Sequence, residues 1–398
     1  MHSRSTRSTS CSRVFPFTST PEQLAFRDAV REFASREIAP IALQQDRTGE
    51  SPLDVHHRFW REGLAEPLLP RPDGEGSPYL VMFCIAAEEL AYACAAIASL
   101  IMLPLFFNRL ILQLLAEPAR AEFRAQLFSN PTITSFAATE QTSGSDLLGM
   151  DTRAERVDGG YVLSGRKQFS TNLRHASKAI VVARTGGSGE RATSAMTWFL
   201  VPTTHPGVAI GDRWETLGLR AIDVSPMELH DARIPESWRL GDEGRGIWLM
   251  NEALPQSRTG IAAIAVGIAR RARDEVLAYG SRRRLYGDKL YKLQDYRFRI
   301  AEMEKDIAAA RALTYLSALK RDQGLSNNKE ASIAKLNAGQ VVMRVTEAAS
   351  VMLGGIGYTK ESVVEKLFRD ARHTAIVEGT DPTHKELIFA DLIRKGGY

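Results

Sequence analysis

The stretch TRAERVDGGYVLSGRKQFST, residues 152–171, decides the fold class. Two runs of alternating apolar and polar residues flank Asp158-Gly159-Gly160, a pattern that predicts a β-hairpin closed by a tight glycine turn. Short apolar runs follow: KAIVVART, then SAMTWFLVPT after a GGSGE turn, then GVAIGDRWETL and SPMELHDARIP, ending near Pro235. On either side the period is helical. PEQLAFRDAVREFASREIAP (21–40) repeats Leu24, Phe26, Val30, Phe33 and Ile38 at helical spacing, with Pro21 at a helix start. After Gly246, NEALPQSRTGIAAIAVGIARRARDEVLAYG carries a small-residue stripe suited to close helix packing. DYRFRIAEMEKDIAAARALTYLSALKRDQG, NKEASIAKLNAGQVVMRVTEAASVML and VVEKLFRDARH are further helices. The order α, β, α is not a βαβ alternation, so a doubly wound sheet is not expected. The expectation is an α+β chain: a leader at 1–16, a helical domain at 17–130, a β domain at 131–240 and a helical domain at 241–398.

Bulk properties narrow the function. The 398 residues are 44% hydrophobic and 25% charged, with 51 Lys+Arg against 47 Asp+Glu. A net charge of +4 is too slight to imply a polyanion, and the run Arg282-Arg283-Arg284 has no aromatic interleaving, so nucleic-acid binding is not expected. Cys11, Cys84 and Cys94 show no metal or redox spacing; a reducing compartment, cytoplasmic by default, is expected and no metal is. The Ser/Arg-rich start, MHSRSTRSTSCSRVFP, has the composition of an organellar transit peptide but no apolar face, and a disordered leader or misplaced start codon is the preferred reading. Leu90 to Phe107 lacks charge over nearly a membrane-spanning length. Its alanines, Ser99, Pro104 and the preceding Glu88-Glu89 pair favour a helix buried in a bundle.

Three loops carry candidate chemistry. GGIG at 354–357 has glycines but follows a helix and lacks the third spacing, so a dinucleotide fingerprint fails and a helix stop remains. ATEQTSGSDLLG (138–149) offers Thr139, Ser143, Ser145 and glycine amides for a phosphate or polar ring edge; a plain surface loop fits its spacing too. TAIVEGTDPTHKE (374–386) runs Ala375, Ile376 and Val377 into Glu378 at a helix break. By itself that glutamate is a helix-end residue.

As a set these segments resemble the acyl-CoA dehydrogenases, FAD-dependent enzymes that desaturate acyl thioesters. The resemblance runs from about Phe17 to Arg394 and rests on TEQTSGSD (139–146), GRKQFSTN (165–172), RRRLYGDKLYKLQ (282–294) and GGIGYTKESVVEKLFRDARHTAIVEGT (354–380). It implies an N-terminal helical domain, a barrel-like or sandwich β domain and a C-terminal four-helix bundle. It implies FAD lined by Phe136, Ala138, Thr139, Ser145, Phe169, Thr171 and Thr380, with Gly354 and Gly355 at the phosphates. Arg283, Tyr286 and Gln294 would reach the FAD of a neighbouring subunit, so a homodimer or homotetramer is expected. Glu378 would be the base, with Ser145, Arg258 and Gly379 also at the substrate.

Chemistry supports that role for Glu378. An α-proton of a thioester is too weakly acidic for an exposed carboxylate, whereas burial beside Ile376 and Val377 would raise its basicity. Gly379 would permit a tight backbone, and Asp381-Pro382 reads as N-cap and first helical residue. Departures from the family pattern are Val351, Gln141, Pro255 and the loop PRPDGEGSPY at 70–79. They leave the acyl carrier open between CoA and an acyl-carrier protein, with an electron-transfer flavoprotein as the expected acceptor. An oxidase or flavin monooxygenase of the same fold is the alternative, and a non-catalytic flavoprotein homologue a third. Monooxygenase relatives typically lack a glutamate at this place, which argues against that reading.

Overall fold

The computed structural model describes residues 19–70, 79–186 and 195–396. The expected leader, the centre of the 70–79 loop and most of the GGSGE turn lie outside them. The N-terminal region comprises α1 (Pro21–Phe33), α2 (Ala42–Thr48), α3 (Leu53–Arg61), α4 (Leu80–Leu114) and α5 (Ala119–Ser129). Thr20 and Gln23 form a reciprocal capping box that starts α1 at Pro21.

The charge-free run Leu90–Phe107 lies within α4, which is long and apolar enough to cross a membrane but 94% buried over that window. It is the central core helix, apolar on all sides because protein surrounds it. Its first amides have no intrahelical acceptors, and Asp322 supplies them, accepting from Tyr79, Leu80 and Val81 at 2.9–3.0 Å. Against α4 packs α6 (Gly246–Arg282), and the small-residue stripe explains how closely. A Cβ on Gly267 would stand 2.4 Å from the Glu88 carbonyl, and one on Gly260 would stand 2.7 Å from the Phe83 ring. Where the helices meet, the buried carboxylates of Glu88 and Glu89 are fully engaged. Arg270 bonds both, Arg311 and Tyr315 bond Glu88, and Arg31 grips Glu89 with two nitrogens.

The β region holds β1 (Thr134–Ala137), β2 (Arg153–Val157), β3 (Gly160–Thr171), β4 (Lys178–Arg184), β5 (Met196–Pro202), β6 (Val208–Ile210), β7 (Val224–Pro235) and β8 (Arg239–Leu240). The predicted hairpin is present: β2 and β3 pair antiparallel with Val157 opposite Gly160, and Gly159 takes φ 77°. Hydrogen bonds run in the order β6-β7-β3-β2-β4-β5-β8, with β1 on β4. A single rung, Arg153 opposite Arg184, joins the two halves, which face each other as a sandwich. Tyr161 of β3 meets Phe199 of β5 with ring centroids 4.8 Å apart inside it. The other face of β4 and β5, with Ile180, Val182, Trp198 and Leu200, belongs to the helical core. Both faces being buried, these strands read as continuous apolar runs.

In the C-terminal region α6 is followed by a hairpin of β9 (Arg284–Leu285) and β10 (Asp288–Lys289), then α7 (Gln294–Asp322), α8 (Asn328–Leu353) and α9 (Val363–Thr374). These four helices form the bundle, and α10 (Asp381–Gly396) lies on α8. The chain thus has the expected α+β architecture of two helical regions around a β region.

His56, on α3, is fully buried beside Trp60, and neither ring nitrogen has a side-chain partner. Desolvation, then the neighbouring His57, pulls it from 6.5 down to about 3. In the unfolded chain the same imidazole protonates near 6.5, so its contribution is present above that pH and is lost as pH falls towards 3. At pH 5 the loss amounts to about 2 kcal/mol relative to neutral pH. Urea midpoints measured from pH 7.5 to 5 are expected to fall less steeply for His56→Leu than for the parent chain.

Candidate active site

The site is built where α9 ends. After Thr374 the chain makes two turns, with the Ile376 and Val377 amides both bonded to the His373 carbonyl at 3.0 and 3.1 Å. Glu378 then adopts φ 61°, the left-handed region, and Gly379 follows at φ 111°. A non-glycine residue there costs on the order of 1–3 kcal/mol and persists only where its surroundings hold it. Two cations do so. Arg258 of α6 donates from Nε to the Glu378 carbonyl at 3.0 Å, and Lys335 of α8 donates from Nζ to the Gly379 carbonyl at 2.5 Å. From α10, His384 backs Gly379: a Cβ there would stand 3.3 Å from the imidazole.

The Glu378 side chain is half-buried, and its carboxyl is raised above the ordinary range. Desolvation is the main cause, opposed by a Ser257 hydrogen bond and by the charges of Arg258 and Lys335. The expected apolar lead-in is not what surrounds it. Ile376 is 50% exposed, because the turn points it outward, and only Val377 packs on the helical core. Asp381 is a correction too: it is the first residue of α10 rather than its cap, and it accepts from Gln340 at 2.9 Å. Thr380 precedes the helix, its carbonyl taking the His384 amide and its hydroxyl 3.3 Å from that of Thr383.

A second group gathers at one end of the sandwich. Phe136 stacks on Phe107 at 5.5 Å and meets Trp198 edge-on. The carbonyls of Ala138 and Thr139 accept from Lys167 Nζ and the Gln168 amide, and the Thr171 carbonyl from the Ser135 hydroxyl. Phe169 lies in a strand yet is 55% exposed. A register shift between Lys167 and Ser170, with φ 55° at Phe169, turns its ring outward. The ring lies 5.4 Å from that of Trp214, itself 42% exposed. The Trp214 loop is fixed to α9, the helix leading to Glu378: the Leu219 amide bonds Asp370 at 2.7 Å, and Gly218 lies against the Arg369 backbone.

The remaining candidates stand elsewhere. Gly354 (φ 67°) ends α8 as a helix stop, and it and Gly355 are exposed with open space where a Cβ would go. Gly357 instead is required internally: a Cβ there would stand 2.4 Å from the Ser350 carbonyl. Ser145 is exposed on its loop. Arg283 and Tyr286 are exposed at the β9–β10 hairpin, Tyr286 at 93%, and Gln294 is exposed at the start of α7; the segment packs chiefly on α6 and α7. Sequence reading missed Trp214, Ser257, Lys335 and His384. Lys335 had a signal: it stands four residues after Ala331 and three before Ala338, on the buried stripe of α8.

These surfaces fit FAD. An outward aromatic pair suits a flat ring system, and uncovered glycine backbone suits close approach of phosphates. The class these features suit is a flavin-dependent dehydrogenase. Comparison with known proteins gives the family. The acyl-CoA dehydrogenase N-terminal, middle and C-terminal domains match residues 20–130, 135–232 and 244–393. A probable acyl-CoA dehydrogenase of Bacillus subtilis (strain 168) is 33% identical over 387 residues, covering 95% of this chain and 100% of that protein. The mitochondrial short-chain specific acyl-CoA dehydrogenase of Mus musculus is 34% identical, covering 92% and 89%. The structure of butyryl-CoA dehydrogenase from Megasphaera elsdenii superposes with TM-score 0.90 at 29% identity, over 96% of this chain and 100% of that one. The chain belongs to the acyl-CoA dehydrogenase family, FAD-dependent oxidoreductases acting on CH–CH bonds.

One buried pair supports the loop at 138–152. Lys167 bonds Glu140 at 2.7 Å, and Glu140 accepts the amides of Asp151 and Thr152 at 2.6 and 3.0 Å. Desolvation pulls Lys167 down to about 8. Desolvation also pushes Glu140 up, but Lys167 together with the hydrogen bonds from Thr152 and Asp151 outweighs it and the net direction is down. Lys167→Met leaves that carboxylate buried and unpaired, and is expected to cost about 3–5 kcal/mol in urea denaturation. Adding Glu140→Gln should restore a large part.

Proposed function

We propose that this chain removes the α- and β-hydrogens of an acyl thioester, giving the 2,3-enoyl thioester, with Glu378 as the base. The observation that carries this reading is the Glu378–Gly379 backbone, held in a strained conformation by two buried cations, with a carboxyl raised by desolvation. A raised carboxylate is a better acceptor for a weakly acidic α-proton, and a fixed backbone removes the cost of orienting it at the moment of reaction. In this reading the Glu378 amide donates to the thioester carbonyl, where negative charge develops as the proton leaves. FAD, when bound, supplies the acceptor at N5 for the hydride leaving the β-carbon. Phe169 and Trp214 position the ring system, and Thr139, Thr171 and Thr380 offer it hydroxyl and backbone groups. Gly354 and Gly355 let the phosphates approach the backbone. Ser145 and Arg258 are assigned to the substrate side, Arg258 acting through the carbonyl of Glu378.

The proposal extends to partners. The substrate is an acyl-CoA, with an acyl-carrier protein as the other carrier to be tested, and an electron-transfer flavoprotein takes the electrons. Arg283, Tyr286 and Gln294 have few contacts in their own chain, which supports a homodimer or larger homo-oligomer in which they complete a neighbour's FAD site. Purified Tyr286→Ala is then expected to retain less FAD than the parent protein at equal dilution, by absorbance ratio. Equal retention would remove this residue from the cofactor site.

The central test is anaerobic flavin bleaching by a panel of acyl groups, each offered on CoA and on a carrier protein. Glu378→Gln should slow bleaching about 10²–10⁴-fold while keeping the flavin spectrum. Bleaching at the parent rate would end the assignment of Glu378 as base. Because the base must be ionised, the parent rate should climb with pH along a limb lying above the ordinary carboxylate range. Rapid peroxide formation in air without an added acceptor would replace the dehydrogenase reading by the oxidase one.

A further inference from the structure

Lys335 is buried to 1% exposure, and among the described residues no carboxylate lies within ion-pair distance of its ammonium. Its hydrogen bond goes instead to a backbone carbonyl, that of Gly379. The groups facing it come from four elements. Asp381 approaches from α10 and Glu378 from the loop; Arg258 of α6 shares the same space. His384 of α10 and His373 at the end of α9 face it as imidazoles, each driven down to about 4 by burial first and then by Lys335. An apolar side chain of the same length would fill this volume without taking an ammonium out of water. Packing therefore does not account for a lysine here. What it does that methionine would not is bond a carbonyl and place a positive charge.

The position of that carbonyl is the informative part. Arg258 takes the carbonyl of Glu378 and Lys335 takes the next one, so consecutive peptide groups are fixed from two different helices. Fixing both carbonyls fixes two successive peptide planes, which sets φ and ψ at Gly379 and limits ψ at Glu378. The left-handed Glu378 then has no low-cost route back to an ordinary turn. We propose that Lys335 is a positioning residue of this site: its ammonium locks the Gly379 carbonyl, keeps Glu378 in its left-handed conformation and sets a positive charge beside the Glu378 carboxylate. The proposal rests on Glu378 being the base. Burial draws Lys335 down to about 8, so it is largely charged at neutral pH. Its charge opposes the desolvation that raises Glu378, so losing it moves the Glu378 carboxyl further up.

The test uses the FAD-loaded protein and three variants. Lys335→Met removes charge and hydrogen bond, Lys335→Gln removes charge but keeps a donor, and Lys335→Arg keeps both. Anaerobic flavin reduction by acyl-CoA is followed against pH, and amide hydrogen exchange of residues 377–380 is followed in the same proteins without substrate. In Lys335→Met the acid limb is expected to move up by about one pH unit, and exchange at 377–380 to speed at least about tenfold while α6 and α8 stay protected. Lys335→Arg should return both towards the parent. Lys335→Gln should shift the limb with a smaller change in exchange, and it carries the charge test if Lys335→Met does not fold. An unmoved limb together with unmoved exchange would reduce Lys335 to packing. Should Glu378→Gln remain active, the base assignment falls, and the exchange data still decide whether Lys335 anchors the loop.

Discussion

The constraint on which the site depends is a backbone one: Glu378 sits where a residue with a Cβ does not rest unaided. Its conformation is held by Arg258 on one carbonyl and Lys335 on the next, and these come from α6 and α8. The two donors keep their spacing only if their helices keep theirs. Gly267 and Gly260 bring α6 against α4 at distances that no larger side chain allows, and the Arg270–Glu88–Arg311 cluster ties α4, α6 and α7 across the same contact. Strain at one residue is thus balanced by packing spread over four long helices. A loop alone has too few contacts to hold it.

The sandwich solves a different problem, presenting flat aromatic surface without burying it. A regular strand would put Phe169 either in the sandwich core or in a solvated row. The irregularity between Lys167 and Ser170 breaks the alternation, so that Lys167 points inward to Glu140 while Phe169 points out beside Trp214. The buried Lys167–Glu140 pair and the exposed ring are two results of one local distortion. Because the Trp214 loop is bonded to Asp370 on α9, the aromatic pair and the Glu378 loop share a support.

Much of the fold was legible because it follows from period and turn chemistry. The hairpin at Asp158-Gly159-Gly160, the buried reading of Leu90–Phe107 and the helix stop at GGIG needed only spacing and glycine. For the candidate site, local spacing drew attention to Glu378 and the loop at 138–149, but the roles proposed for them came from the family resemblance. Contacts between distant segments were not legible. Lys335 lies 44 residues from the carbonyl it holds, and Trp214 was absorbed into a predicted strand. The environment of Glu378 was misread for the same reason: adjacency in sequence placed Ile376 beside it, whereas the turn sends Ile376 outward. What surrounds a loop residue is decided by the helices packed under it.

The charges around Glu378 pull in opposite senses, and the proposed reaction gives that opposition a use. Arg258 and Lys335 weaken the base by favouring its ionised form, while desolvation strengthens it, and desolvation prevails. Once the α-proton has moved, the carboxyl is neutral and its negative charge has passed to the thioester. In that reaction the same two cations would then have one anion fewer on the protein, and their field would be free to act on the charge developing in the substrate. Desolvation works in the same direction, since it penalises the carboxylate before transfer and leaves the acid alone afterwards. Neutral His373 and His384 add no further positive charge above about pH 4, so the loop keeps two cations against Glu378 and Asp381 over the physiological range. In the proposed reaction, more cations would hold the glutamate too weak to act, and fewer would leave the enolate without a partner.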